Sequence, residues 1–222
     1  MLLIRLAILL VPFWPFKRFL LRKLFGYSLA PSARIGYSYI FPRRLRMAAG
    51  AKIGHGNVCK GIELLSMGSH ASIGRLNWIT GFPRRTNTKH FELQPARRPR
   101  LVIARHSAIT NRHIIDCTDR VIIGEFSTIA GFRSQLLTHS IDLVESRQKA
   151  CPILIGKRCF VGTSVVILPG AQIPGYSVLA AGCVVATPLV KEYALYAGVP
   201  AKYIKQMPAD NKYFARETGF VD

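Results

Sequence analysis

From Ile155 onward the sequence falls into rows of six: "IGKRCF", "VGTSVV", "ILPGAQ", "IPGYSV", "LAAGCV", "VATPLV". Ile155, Val161, Ile167, Ile173, Leu179 and Val185 keep the beat, and a second small or aliphatic residue recurs at Cys159, Val165, Ala171, Ser177 and Cys183. Neither the 3.6-residue period of a helix nor plain strand alternation produces this pattern. A flat strand plus a corner uses six residues, and three such rows close one triangular coil of a parallel β-helix. Each aliphatic residue then points inward and stacks on its counterpart one coil away.

The same beat runs earlier with interruptions, through Met47, Ile53 and Cys59, then Met67, Ile73 and Ile79, then Ile103, Ile109 and Ile115, then Ile123 and Ile129. Steps of eight from 59 to 67 and from 115 to 123 imply small bulges at corners. Two longer breaks stand out. Residues 82–100 carry seven basic or histidine residues without aliphatic period and read as a projecting loop. Residues 135–152 form the second break, which opens on "QLLTHSID". Beyond 186 the pattern dissolves, and 208–222 reads as a C-terminal helix or tail. The expected organisation is an apolar and basic segment over 1–30, the β-helix over 31–190 and a C-terminal turn and tail over 191–222.

Lys and Arg number 31 against 11 Asp and Glu, a net charge of +20. Such a chain seeks polyanions: nucleic acid, anionic lipid or a phosphate-bearing ligand. The five cysteines lack any C-x-x-C pair, which fits neither a disulfide framework nor a zinc site and points to a reducing, cytoplasmic setting.

The opening "MLLIRLAILLVPFWPFKRFLLRKLF" is interrupted by Arg5, Pro12 and Pro15 and is too short to cross a bilayer. Residues 16–25 read as an amphipathic helix, with Phe16, Phe19, Leu20 and Leu24 at helical spacing and Lys17, Arg18, Arg22 and Lys23 on other faces. No acidic residue precedes Glu63, so this portion is expected to make peripheral contact with an anionic membrane, at the inner face. A helix capping the core end with a solvated basic face is the alternative.

Within "THSID", His139 could be a base, a metal ligand or a turn residue. The surrounding segments narrow this. "THSIDLVESR" (138–147), "PILIGKRCFVGTSVVILPGAQI", "VLAAGCVV" and "AGVPAKYIK" (197–205) resemble, in order and spacing, the hexapeptide-repeat acyltransferases, nearest the branch acetylating maltose, galactosides and surface polysaccharides. The resemblance covers the C-terminal half; the N-terminal half matches only through its repeat. It implies an all-β, left-handed parallel β-helix, a homotrimer with sites between subunits, acetyl-CoA as co-substrate and no metal. It implies that His139 is the general base, with Asp142 as the matching acid and Asp116 and Asn111 as acceptor contacts. It further implies coenzyme A contacts at Thr163, Ala181, Gly198 and Lys202. Two positions depart from the family pattern: Phe160 replaces a tryptophan lining the substrate pocket, and Thr187 replaces a phosphate-binding lysine, for which Lys191 or Arg158 could substitute.

The expected function is O-acetylation of a saccharide, a surface-polysaccharide precursor or lipid-linked sugar. N-acylation of an amino sugar and transfer to a small antibiotic-like acceptor remain alternatives. A zinc carbonic anhydrase built on His106, His113 and His139 lacks that family's histidine spacing. A nucleic-acid-binding scaffold has the charge, but little aromatic interleaving in its basic loop.

Overall fold

The computed structural model describes residues 2–84, 89–219 and 221. Three parallel sheets run along the molecule and every coil contributes one strand to each. The first sheet stacks Ser28–Leu29, Arg44–Met47, Leu64–Met67, Arg100–Ile103, Arg120–Ile123, Ile153–Ile155 and Gln172–Ile173. The second begins Arg34–Ile35, Lys52–Ile53, Ser72–Ile73, and the third Tyr39–Ile40, Val58–Cys59, Trp78–Thr80, Ile114–Asp116, Gln135–Leu137. This is the parallel β-helix expected from the repeat, left-handed as the resemblance implies. Coils start at Ser28, so the helix contains a turn, built on Leu29, Ile35 and Ile40, ahead of the first one counted in the sequence.

The beat residues form the core. Met47 pairs in register with Met67, Ile103 with Ile123 and Ile155 with Ile173. Ile79, Ile115, Leu136 and Ile167 stack in one column and are wholly buried. Leu136 corrects the sequence reading: Gln135–Leu137 is a third-sheet strand, and the break begins at Thr138. The register slips by one residue because an extra residue is accommodated near Gly131 (φ +68°) between Ile129 and Phe132. The step from Ile129 to Leu136 is seven residues, which a strict six-residue beat does not contain.

Polar ladders tie the coils at their corners. The Asn57 amide takes Ser38 Oγ, Asn77 donates to Asn57 Oδ1, the His113 N–H donates to Asn77 Oδ1, and the Ser134 N–H donates to His113 Nδ1. At another corner the rings of His70, His106 and Phe126 stack at 5.0 and 4.9 Å.

Two helices, α1 (Leu2–Leu10) and α2 (Trp14–Phe25), close the N-terminal end, burying Ile8 and Leu21 against the first coil. A left-handed Gly26 (φ +64°) ends α2 and turns the chain into the first strand. The outcome differs from the simple amphipathic expectation. Lys17 is buried and its ammonium donates to the carbonyls of Leu9 (3.2 Å) and Gly36 (2.9 Å), whereas Phe16, Phe19 and Leu24 face solvent. Burial lowers the Lys17 pKa to about 8. At the other end, Ala194–Ala197 and Lys202–Gln206 extend the second sheet as an antiparallel pair, and α3 (Lys212–Ala215) lies on that sheet.

Candidate functional site

Both long breaks in the beat leave the β-helix at one corner, between the third sheet and the first. The segment 81–99 joins Trp78–Thr80 to Arg100–Ile103, and 138–152 joins Gln135–Leu137 to Ile153–Ile155. The short turn 117–119 lies on the coil between them. The second insertion is a hairpin, His139–Asp142 paired antiparallel with Arg147–Ala150. Two insertions at one corner, separated by a single coil whose own turn is short, meet across that coil, and a pocket results.

That pocket, about 250 Å³, is lined by Thr80, Gly81, Phe82, His90, Phe91, Asp116, Thr118, His139 and Gln148. Asp116 pairs in register with Leu137, which places His139 two residues further along beside its carboxylate. His139 Nδ1 lies 2.8 Å from Asp116 Oδ2. The same carboxylate accepts from Thr138 N–H (3.0 Å) and Oγ1 (2.7 Å), and from Thr118 Oγ1 (2.7 Å). Burial pushes the Asp116 carboxyl up, but hydrogen bonds from His139, Thr118 and Thr138 outweigh it and hold the group below its ordinary value. The hydrogen bond to Asp116 raises the His139 pKa, against the opposing effect of burial. An ionised carboxylate only accepts, so the Nδ1 proton belongs to His139 and the lone pair sits on Nε2.

Within the basic loop, Phe91 and Arg97 fold back onto the coil, while most of its other described residues stay exposed. Arg97 is buried and donates to the carbonyls of Phe82 (3.0 Å) and Thr118 (2.6 Å), and its guanidinium lies 4.1 Å from the Phe91 ring centroid. Phe91 meets the His139 ring edge-on at 6.1 Å. Gln94 bonds both backbone groups of Ala150, the register partner of His139. Sequence reasoning missed Arg97, Gln94 and Phe91, because their partners are set by tertiary contacts of a segment without period. Part of that loop, 85–88, lies outside the described residues. A second cavity of about 520 Å³ adjoins the first and shares His90, Phe91 and Gln148 with it.

The other expected site residues lie elsewhere. Asp142 Oδ1 accepts from the N–H groups of Val144 and Glu145, so it caps the hairpin turn, and Oδ2 stands 3.7 Å from Lys149. The acid on His139 is Asp116. Asn111, at the end of the second-sheet strand Ala108–Asn111, accepts through Oδ1 from the Arg75 N–H in the turn after Ser72–Ile73. Phe160 packs beneath Tyr213 of α3, ring centroids 5.6 Å apart. Thr163 faces a cavity of about 290 Å³ with Arg112 and Arg133, at the corner between second and third sheets. Ala181 is exposed at that same corner, and Gly198 and Lys202 follow it on the next coil. Of the two substitutes for Thr187, Arg158 donates to the carbonyls of Phe214 and Arg216 and anchors the tail, whereas Lys191 lies over the Tyr203 ring.

His113 is buried in the asparagine ladder and His106 lies half-exposed in the ring stack, so neither converges with His139. Among the described residues no group of three or more His, Cys, Asp or Glu could hold a metal ion.

No protein-family profile matches the chain, and no curated protein matches it. Solved structures do. A hexapeptide-repeat acetyltransferase from Vibrio cholerae O1 biovar eltor, complexed with acetyl coenzyme A, is 19% identical (92% of this chain, 83% of that one, TM-score 0.47). A hexapeptide transferase family protein from Anaplasma phagocytophilum is 18% identical (85% and 82%, TM-score 0.47). An N-acyltransferase from Bacillus cereus, in complex with dTDP and coenzyme A, is 15% identical (85% and 88%, TM-score 0.43). At these values none of their activities or ligands carries over to this chain.

Proposed function

We propose that the chain is a coenzyme A-dependent acyltransferase that moves an acetyl group from acetyl-CoA to a saccharide hydroxyl. The observation that carries this reading is the His139–Asp116 pair, with its free imidazole nitrogen in a pocket bounded by two insertions. Nε2 takes the proton of the acceptor hydroxyl as that oxygen attacks the thioester carbonyl carbon. The oxygen–carbon bond forms, the carbon–sulfur bond breaks, and the departing thiolate recovers the proton from His139. The step needs no covalent nucleophile, and Asp116 stabilises the transient imidazolium as the acid of a triad does.

The donor would lie along the corner that bears Thr163, Ala181, Gly198 and Lys202, with Arg112 and Arg133 beside Thr163 as cations for the coenzyme's phosphates. Within one chain that corner and the His139 corner are different edges of the prism. The reading therefore includes a homotrimer in which one chain's donor edge meets its neighbour's histidine.

The test is thiol release from acetyl-CoA with a panel of saccharide acceptors. His139→Ala is expected to lower kcat by roughly 10²–10⁴-fold with melting temperature and secondary structure retained. Equal activity in the variant would remove His139 from the role.

A further inference from the structure

The N-terminal end of the β-helix carries a surface that folding leaves apolar. Leu3 is 81% exposed, Leu10 68% and Phe13 66%, and Phe16, Phe19 and Leu24 are each at least half exposed. This is not a loosely docked face waiting to collapse on the core. Lys17 ties both helices to the first coil through the carbonyls of Leu9 and Gly36, Arg18 holds the Leu29 carbonyl through two nitrogens, and Arg5 lies over the Phe25 and Phe41 rings. The cations that could have solvated the outward face are spent inward. The cations left exposed are Arg22 and Lys23 at the end of α2, then Arg34, Arg43, Arg44, Arg46 and Lys52 on the first two coils, which the helices cap. No carboxylate precedes Glu63 to offset them.

We propose that the outward face of α1 and α2 seats the chain on an anionic lipid bilayer, its leucines and phenylalanines among the acyl chains and its basic rim at the headgroups. Nine residues of α1 rise about 14 Å, half of the roughly 30 Å hydrocarbon thickness, so the helix lies in the interface. No helix among the described residues is long and apolar enough to cross a membrane. A second copy of the chain fits the face poorly, because it would bring two uncompensated basic rims together.

The experiment is co-sedimentation of the full chain with vesicles of phosphatidylcholine alone and of phosphatidylcholine mixed with phosphatidylglycerol. Retention on the anionic vesicles is expected, weakened at about 1 M salt. The double variant Leu3→Glu, Phe16→Glu should lose about tenfold or more in partitioning to both kinds, and Arg22→Gln, Lys23→Gln should lose affinity for the anionic vesicles only. All four side chains are exposed, and melting curves check that each variant folds. No retention by the wild type, or retention unchanged in the Glu variant, overturns the proposal. So does a wild-type dimer that the Glu variant dissolves, which would make the occupant a second copy. The assay reads no catalysis, so its outcome is separate from that of the acyl-transfer reading.

Discussion

At His139 the chemistry turns on which ring nitrogen holds the proton. Asp116 fixes it on Nδ1 and raises the pKa, while a general base must be neutral to work. kcat/KM should therefore rise with pH through a His139 pKa lying above the ordinary histidine value. Asp116→Asn removes the charge that raises it, so the acid limb of the pH–rate profile should move to lower pH. The same variant should cost roughly 10–10³-fold in kcat through loss of tautomer control. Asp142→Asn should leave the profile in place, since that carboxylate is committed to the Val144 and Glu145 amides. A shifted profile in the Asp142 variant and an unshifted one in the Asp116 variant would reverse the assignment. The pairing was half legible. Histidine and both acids stood out as residue types, but choosing between them needed the register of Asp116 against Leu137, which the uncounted strand concealed.

At the scale of elements, the beat told the coils from the insertions because inward stacking tolerates only one aliphatic face. What it could not tell was how insertions fold, since their contacts are with each other. The Gln94–Ala150 bridge is such a contact, and Gln94→Ala should raise KM for the acceptor more than it lowers kcat, by loosening the loop against the hairpin; steady-state kinetics with either substrate varied would separate the two. The corner ladder has its own pH signature. Burial pushes the pKa of His113 down to about 4. Below the ordinary value of 6.5 the unfolded chain takes a proton that the folded one refuses. The ladder's contribution is thus present above pH 6.5 and lost as pH falls towards 4, an acid destabilisation on the order of 3 kcal/mol. Denaturant melts at stepped pH should show this slope in the wild type and a reduced slope in His113→Asn.

On the scale of the whole molecule, the two edges that the acyl-transfer reading needs are apart within one chain. His139, Asp116 and the insertions occupy one corner of the prism, and Thr163 and Ala181 another. The family resemblance names the residues of both edges, and the repeat fixes which side of the coil Thr163 and Ala181 face, yet neither brings the two edges together. A neighbouring chain can, and this makes the assembly testable by subunit mixing. Each of two inactive chains would carry one lesion, His139→Ala in the first and a donor-edge block, Ala181→Trp, in the second. If the site joins one chain's histidine to its neighbour's donor edge, random mixing leaves about a quarter of the interfaces with both halves intact, and activity returns to that fraction of wild type. If each chain holds a complete site, every site keeps its lesion and the mixture stays as inactive as its parents. Light scattering on the same samples should give three times the monomer mass, and a monomer that retains full activity would end the shared-site reading.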